Sequence, residues 1–256
     1  MQFRVVTLFP EMVETGVSFG VCGRAVRRGL VELATVDPRD FAADAHRTVD
    51  DRPYGGGPGM VLKVEPFRDA IHDAKAGMPA GSPVVFLTPQ GRCFDQRLAE
   101  QLAALPGMVL VAGRYEGFDE RLIEVEGDDE ISLGDFVLSG GEIVAMAVID
   151  AVVRLLPGVL GDAASAELES YADDLLDFPQ YTRPEIVDGV QVPEVLRDGN
   201  HDEIRRWRLK HALGRTFERR PDLLAGRTLT EEERQLLGEY LAEKDLRAGD
   251  TGRIKH

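Results

Sequence analysis

Only two of the 256 residues are cysteine, Cys22 and Cys93. They form no CxxC pair and no zinc-like cluster with the five histidines. Neither a disulfide framework nor a structural metal is therefore suggested, and a reducing compartment fits. No apolar run is long enough to cross a bilayer. The N-terminus, MQFRVVTLFP, is charged and strand-like rather than a secretory signal. An excess of base is missing too: 30 Lys and Arg against 45 Asp and Glu leave a formal net charge of −15. Taken alone, that charge argues against a nucleic-acid partner. The motifs GxxxxGK(S/T), GxGxxG and HExxH are all absent, which removes the common phosphate, dinucleotide and zinc-protease signatures. One GxSxG is present, Gly16–Gly20. A nucleophile elbow needs a strand before its serine, whereas Glu11–Thr15 reads as helix, so a hydrolase is disfavoured. What remains is the composition of a soluble globular protein long enough to bury a full core, with cytoplasm as the default compartment.

Strands and helices alternate as far as residue 156. Phe3–Phe9, Leu30–Val36, Val84–Thr88 and Met108–Ala112 read as buried strands. Gly20–Arg28, Pro66–Ala76 and Asp95–Leu105 read as helices, with Pro66 in a first turn and Asp95 as an N-cap. Ile143–Leu156 is apolar almost all round and should be a buried helix ended by Pro157. This alternation predicts an α/β domain with a mainly parallel sheet. Gly158–Asp177 lacks periodicity and reads as a linker. Beyond it the pattern is helical, with capping-box spacing at Asn200/Glu203 and Thr230/Glu233. Leu209, Ala212, Leu213 and Phe217 form one apolar stripe, and Trp207 is expected in the core of that region.

Charge is unevenly spread. Acid gathers at Asp128–Glu130, Asp173–Asp174 and Glu231–Glu233. Arg205–Arg220 holds seven Lys and Arg against the single acid Glu218, and Arg24, Arg27 and Arg28 form a second basic cluster. Such patches either steer RNA locally or are solvated helix faces.

Three strand-to-glycine junctions stand out: Val84 to Gly91, Val109 to Gly117, and Ile131 to Glu142. Ligands of parallel sheets sit at the carboxyl ends of strands, so these three would build one pocket. Pro53–Met60 carries four glycines and two prolines in eight residues. It is excluded from helix and interior strand and reads as a surface loop or as backbone that approaches a ligand.

Thr48–Met60, Gly113–Gly117, Ser132–Glu142, Tyr181–Pro184, Gly199–His201 and Glu203–Arg208 together resemble the bacterial tRNA (guanine-N1)-methyltransferase family of the SPOUT superfamily. The likeness runs from Leu8-Phe9-Pro10 to about Leu224. It implies an α/β fold with a deep C-terminal trefoil knot in residues 1–160, an interdomain linker over 161–177, and a small helical tRNA-binding domain over 178–256. It also implies an obligate homodimer in the cytoplasm, with tRNA rather than DNA or membrane as partner. The implied reaction moves a methyl group from S-adenosylmethionine to N1 of guanosine 37. The implied cofactor residues are Leu87, Thr88, Pro89, Gly113, Tyr115, Glu116, Gly117, Ser132, Leu133, Gly134, Asp135, Phe136, Val137, Leu138, Gly140 and Gly141. Read on their own, Glu116 and Asp135 cap helices or pair with Arg114 and Arg121.

Guanine N1 is protonated at neutral pH, so the chemistry calls for a general base and for a cation near O6. The resemblance gives these roles to Glu169 and Arg154. Glu169 stands where the family carries aspartate, with Glu167 and Asp173 as alternatives. Arg154 is also spaced to pair with Asp150, four residues earlier, and the two roles are compatible. Asp50, Arg52, Pro58 and Gly59 are expected near the guanine, and Arg205, Arg206, Arg208 and Lys210 near phosphates. Magnesium is implied by the resemblance alone, with no ligands assigned. Two other readings are a SPOUT enzyme acting on ribosomal RNA or a ribose hydroxyl, and a non-catalytic RNA-binding relative.

Overall fold

The computed structural model describes residues 1–161, 169–171 and 173–251, with side chains described through Leu246. The chain divides into two compact units, Met1–Ala163 and Ala164–His256.

The first unit is built on five strands: β1 (Gln2–Val6), β2 (Glu32–Val36), β5 (Val84–Cys93), β6 (Gly107–Ala112) and β7 (Asp129–Ser132). Their spatial order is β2-β1-β6-β5-β7, and every neighbouring pair is parallel. A short antiparallel pair, β3 (Asp50–Asp51) and β4 (Val61–Leu62), stands apart from this sheet. Helices α1 (Pro10–Val17), α2 (Gly20–Arg27), α3 (Val64–Lys75), α4 (Gln96–Ala103), α5 (Glu120–Glu126) and α6 (Glu142–Val153), with a short 3-10 turn at Pro38–Phe41, belong to the same unit. Strand β6 explains the two-sided core. All six of its residues are buried, and side chains alternate between faces with period two. Met108, Leu110 and Ala112 join one apolar cluster with Val144, Val148 and Val152 of α6. Val109 and Val111 join the other with Phe67 and Ile71 of α3. A sheet covered on both faces is what continuous Val/Ile/Leu runs require.

Several boundaries differ from the sequence expectation, each for a local reason. The first strand stops at Val6, and Pro10 opens α1 at its first turn. Strand β5 runs to Cys93 instead of ending at Thr88. Leu87 and Arg92 both register with Ile131 of β7, so Thr88–Gly91 bulges out before the strand resumes. Only glycine suits position 91, where a Cβ would collide with the backbone of Glu130 and Ile131. Asp95 caps α4 as expected, its side chain accepting from Leu98 N–H at 2.8 Å. Ser18 of the GxSxG stretch is the C-cap of α1 and precedes α2, so no strand enters it.

The second unit holds α7 (His201–Arg219), α8 (Pro221–Ala225), α9 (Glu231–Thr251) and a hairpin of β8 (Ile186–Val187) and β9 (Val190–Gln191). Asn200 caps α7. Thr230 and Glu233 form a reciprocal capping box, with Glu233 N–H donating to Thr230 Oγ1 at 3.2 Å and Thr230 N–H to Glu233 Oε2 at 2.7 Å. Leu175, Ala212, Leu213 and Leu236 make the core, with Leu209 packed against it. Phe217 departs from the expected stripe and is exposed. Trp207 is half-buried rather than core, its ring tilted against His211 at 4.1 Å between centroids and against Tyr181 at 6.3 Å. Among the described residues, no helix is long and apolar enough to cross a membrane.

Candidate functional site

The three glycine junctions meet in one cavity of about 280 Å³ in the first unit. Its walls come from the β5 bulge, from the loop after β6 and from the loop between β7 and α6, as expected at the carboxyl ends of parallel strands. Fourteen of the sixteen residues expected to hold the cofactor line it: Leu87, Thr88, Pro89, Gly113, Tyr115, Glu116, Gly117, Ser132, Leu133, Phe136, Val137, Leu138, Gly140 and Gly141. Gly134 and Asp135 do not reach the lining, and Asp135 is exposed. Gln90, Arg114, Phe118, Glu120, Glu130 and Ser139 also line the cavity. Gln90, Arg114 and Ser139 fall inside the three predicted junctions without having been assigned to the ligand, Phe118 and Glu130 adjoin them, and Glu120, three residues beyond Gly117, carries no signal in the sequence.

Glycine is needed here for close approach. A Cβ on Gly141 would sit 2.9 Å from Ala112 Cα and 3.1 Å from Gly113 N. The backbones are tied at the same place, Gly141 N–H donating to Gly113 C=O at 2.8 Å. Gly141→Ala must therefore push two cavity walls apart. Overpacking of this kind costs roughly 1–3 kcal/mol. We expect a lower melting temperature together with ligand binding weaker by roughly fivefold or more where the displaced walls are those the ligand meets, since 1.4 kcal/mol is a factor of ten. A thermal melt and a ligand titration of the variant check this, and parent-like values in both would refute the close-approach argument.

Tyr115, beside them, has φ = 59°. That left-handed conformation strains a side-chain-bearing residue by roughly 1–3 kcal/mol, and its ring is held open to the cavity. Gly113 backs onto Phe118, whose ring packs edge-on against Phe67 (5.3 Å) and Phe86 (5.0 Å). The loop is thus anchored in the core one turn away from its exposed tip.

The β3–β4 hairpin carries the glycine-rich stretch to the Glu116–Gly117 loop that walls this cavity. Glu116 N–H donates to Met60 C=O at 3.0 Å, and Leu62 N–H to Gly117 C=O at 2.9 Å. Gly59, at φ = 84°, presses so closely on the Glu116 side chain that a Cβ would collide with it. Asp50 is half-buried at the base of the hairpin, whereas Arg52, Pro58 and Gly59 are exposed.

The cavity lining is rich in acid. Glu116, Glu120 and Glu130 line the cavity alongside a single guanidinium, Arg114, which is itself paired with Glu142 at 2.9 Å. Such a field favours a cationic ligand. The expected pairings of Arg114 and Arg121 with Glu116 or Asp135 give way to others. Arg114 binds Glu142, and Arg121 binds Asp119 at 2.6 Å, because Asp119 caps α5 beside it.

Arg154 is half-buried at the C-cap of α6, its N–H donating to Asp150 C=O at 3.2 Å. The Asp150 carboxylate accepts from the Cys22 thiol at 3.3 Å. Burial and that carboxylate push Cys22 up to about 12.

Glu169 belongs to the second unit, where it is half-buried and lines a separate cavity of about 660 Å³ with Asp173, Asp177, His201, Arg205 and Arg208. The alternative Glu167 lies outside the described residues, as does the rest of 162–168 within the segment read as linker. Leu176 is held to α7, its N–H donating to Thr216 Oγ1 at 2.8 Å, and the segment is tied to itself where Asp177 N–H donates to Ser170 Oγ at 3.0 Å.

Of the four basic side chains expected at phosphates, three are already paired. Arg205 binds Glu232 at 2.9 Å, Arg206 binds Glu239 at 2.5 Å and Lys210 binds Glu243 at 2.7 Å, all along α9. Arg208 lies over the Phe178 ring at 4.9 Å. Among the described residues, no group of three or more His, Cys, Asp or Glu converges to hold a metal ion.

Residues 1–226 match the family described as tRNA (Guanine-1)-methyltransferase TrmD. The chain is 61% identical over 246 residues to the tRNA (guanine-N(1)-)-methyltransferase of Methylococcus capsulatus, covering 96% of this chain and 98% of that protein. To the protein of the same name from Vibrio vulnificus it is 59% identical over 239 residues, covering 93% and 96%. To that from Shewanella amazonensis it is 57% identical over 245 residues, covering 96% and 98%.

Proposed function

Since the chain belongs to the tRNA (guanine-1)-methyltransferase family, we propose that it methylates N1 of guanosine 37 in tRNA, with S-adenosylmethionine as the methyl donor. The observation that carries this reading is the acid-rich, glycine-walled cavity at the carboxyl ends of β5, β6 and β7. Its lining fits the donor in two ways. Bare backbone at Gly113, Gly140 and Gly141 lets a ligand sit against the chain, and three carboxylates suit a sulfonium cation. The donor brings a methyl group on a good leaving group, so no covalent intermediate on the protein is required.

The chain's own side chains then have three tasks. Asp50, Arg52, Pro58 and Gly59 would hold the guanine beside the donor. This is supported by the hairpin's hydrogen bonds to the loop bearing Glu116 and Gly117. Glu169 would take the proton from N1, and Arg154 would steady the negative charge that grows on O6. Correct placement of the two reactants contributes much of the acceleration.

The reading extends to architecture. Residues 1–160 would be the knotted SPOUT catalytic domain and 178–256 the tRNA-binding domain, joined by 161–177. The protein would act as a cytoplasmic homodimer that shares the tRNA between subunits. Support for a subunit contact comes from large apolar side chains left exposed on helices that pack together: Met12 of α1, Val26 of α2, Ile143 of α6 and, between α1 and α2, Phe19 at 70% exposure. An exposed apolar patch of this kind commonly marks an interface. Magnesium stays a family expectation. The described residues give it no ligand set, and no step is routed through it.

The decisive experiment uses labelled S-adenosylmethionine and two unmodified tRNA transcripts, one with guanosine and one with adenosine at position 37. Label should enter the first alone and map to N1. Equal labelling of both transcripts, or of neither despite donor binding, would overturn the reading.

A further inference from the structure

We propose that Glu142 is a positioning residue for S-adenosylmethionine, acting through the hydrogen-bonded chain Thr7–Glu142–Arg114. The inference rests on reading the cavity as the donor site. Glu142 does not line that cavity. It is the first residue of α6 and fully buried, as is Thr7. One carboxylate oxygen accepts from Thr7 Oγ1 at 2.9 Å, and the other accepts from Arg114 Nε at 2.9 Å. Thr7 Oγ1 in turn accepts from Phe9 N–H at 3.0 Å. Arg114 donates onward to Ser139 C=O at 3.2 Å and lies 4.4 Å over the Phe9 ring. It also pairs with Gly140 in an antiparallel bridge.

One carboxylate thus ties three segments together: the end of β1, the loop Gly113–Gly117, and the loop that enters α6. The last two are walls of the cavity. Gly140 makes the arrangement tight, because a Cβ there would strike both the Arg114 and the Glu142 side chains.

Energetics argue against a purely stabilising role. Removing a carboxylate from water costs several kcal/mol, and apolar residues of similar volume often serve stability as well or better. The position at a helix N-terminus recovers part of that cost. What an apolar residue cannot supply is the fixed angle between the two loops. It would also leave Arg114 uncompensated beside a cationic ligand.

The test compares Glu142→Gln, Thr7→Val and Thr7→Ser in the full chain. Donor affinity is measured by calorimetry, and turnover is measured with the guanosine-37 transcript. Glu142→Gln should weaken donor binding about tenfold, and Thr7→Val about fivefold, as loss of a charge-assisted hydrogen bond predicts. In both, KM for the donor should rise by the same factor, while kcat at saturation and affinity for tRNA stay within about twofold. Thr7→Ser keeps the hydroxyl and should restore parent-like binding. A change that was merely structural would lower the melting temperature without this split between KM and kcat. Donor binding within about twofold in folded Glu142→Gln and Thr7→Val would overturn the proposal, as would failure of Thr7→Ser to restore it. Should Glu142→Gln not fold, the two Thr7 variants decide. Absence of donor binding by the parent chain would instead overturn the reading of the cavity itself.

Discussion

Replacing Glu169 with glutamine should lower kcat for methyl transfer by about 10²–10⁴-fold, the usual contribution of a general base. Donor affinity should stay within about twofold, because Glu169 is not among the residues lining the first unit's cavity, where the donor is proposed to bind. Glutamine keeps the size and polarity of the side chain but cannot accept the N1 proton. Glu169→Asp restores the family's residue and should remain active. Glu169 is half-buried in a cavity of the second unit whose lining mixes Leu175, Phe178 and Leu209 with Asp173, Asp177, His201 and Arg208, so a carboxylate there is not simply solvated. Single-turnover rates with donor and tRNA both saturating separate the proton-transfer step from binding. A Glu169→Gln rate within about threefold of the parent would transfer the role elsewhere, with Asp173 the next candidate.

The second large effect is expected at Arg154. Removing a donor that meets charge formed in the transition state costs about 10²–10³ in kcat, and Arg154→Ala should fall in that range. Arg154→Lys keeps the charge but loses the planar fork, so it should recover only part of the rate. The competing account is that Arg154 only completes α6. Its position at the C-cap suits a cation interacting with the helix dipole, which is worth about 0.3–1 kcal/mol. On that account Arg154→Ala would shift the melting temperature slightly and leave kcat alone. Measuring both in one variant separates the two accounts, and an unchanged kcat would remove Arg154 from the chemistry.

The parallel sheet and the glycine junctions could be read from the sequence because their signals are local. A run such as Met108–Ala112 is apolar at every position, and the glycines follow the strand ends directly. Strand β5 was read short because its continuation depends on a contact forty residues away, where Gly91 meets the backbone of Glu130 and Ile131. The Thr7–Glu142–Arg114 chain leaves no trace in spacing. Its members are far apart in sequence, and each is an ordinary polar residue until the fold brings them together. Phe217 shows the limit of helical periodicity, which identifies a face but not what covers it. The roles of Glu169 and Arg154 come from family likeness and not from composition. A glutamate in an aperiodic segment and an arginine at a helix end have ordinary explanations of their own.

The acidic row along α9 changes how tRNA binding should be counted. Arg205, Arg206 and Lys210 each hold a carboxylate. A phosphate arriving at one of them would exchange one anion for another and would not meet a bare cation bearing only solution counterions. Exposed pairs of this kind are worth about 0–1 kcal/mol, so the exchange is readily made. Each exchange also frees a glutamate that must gather cations of its own. Added salt therefore weakens the bond being formed and the bond being broken together. The slope of affinity against salt, which for bare cations approaches one released ion per phosphate neutralised, would here report fewer ions than the helix has basic residues.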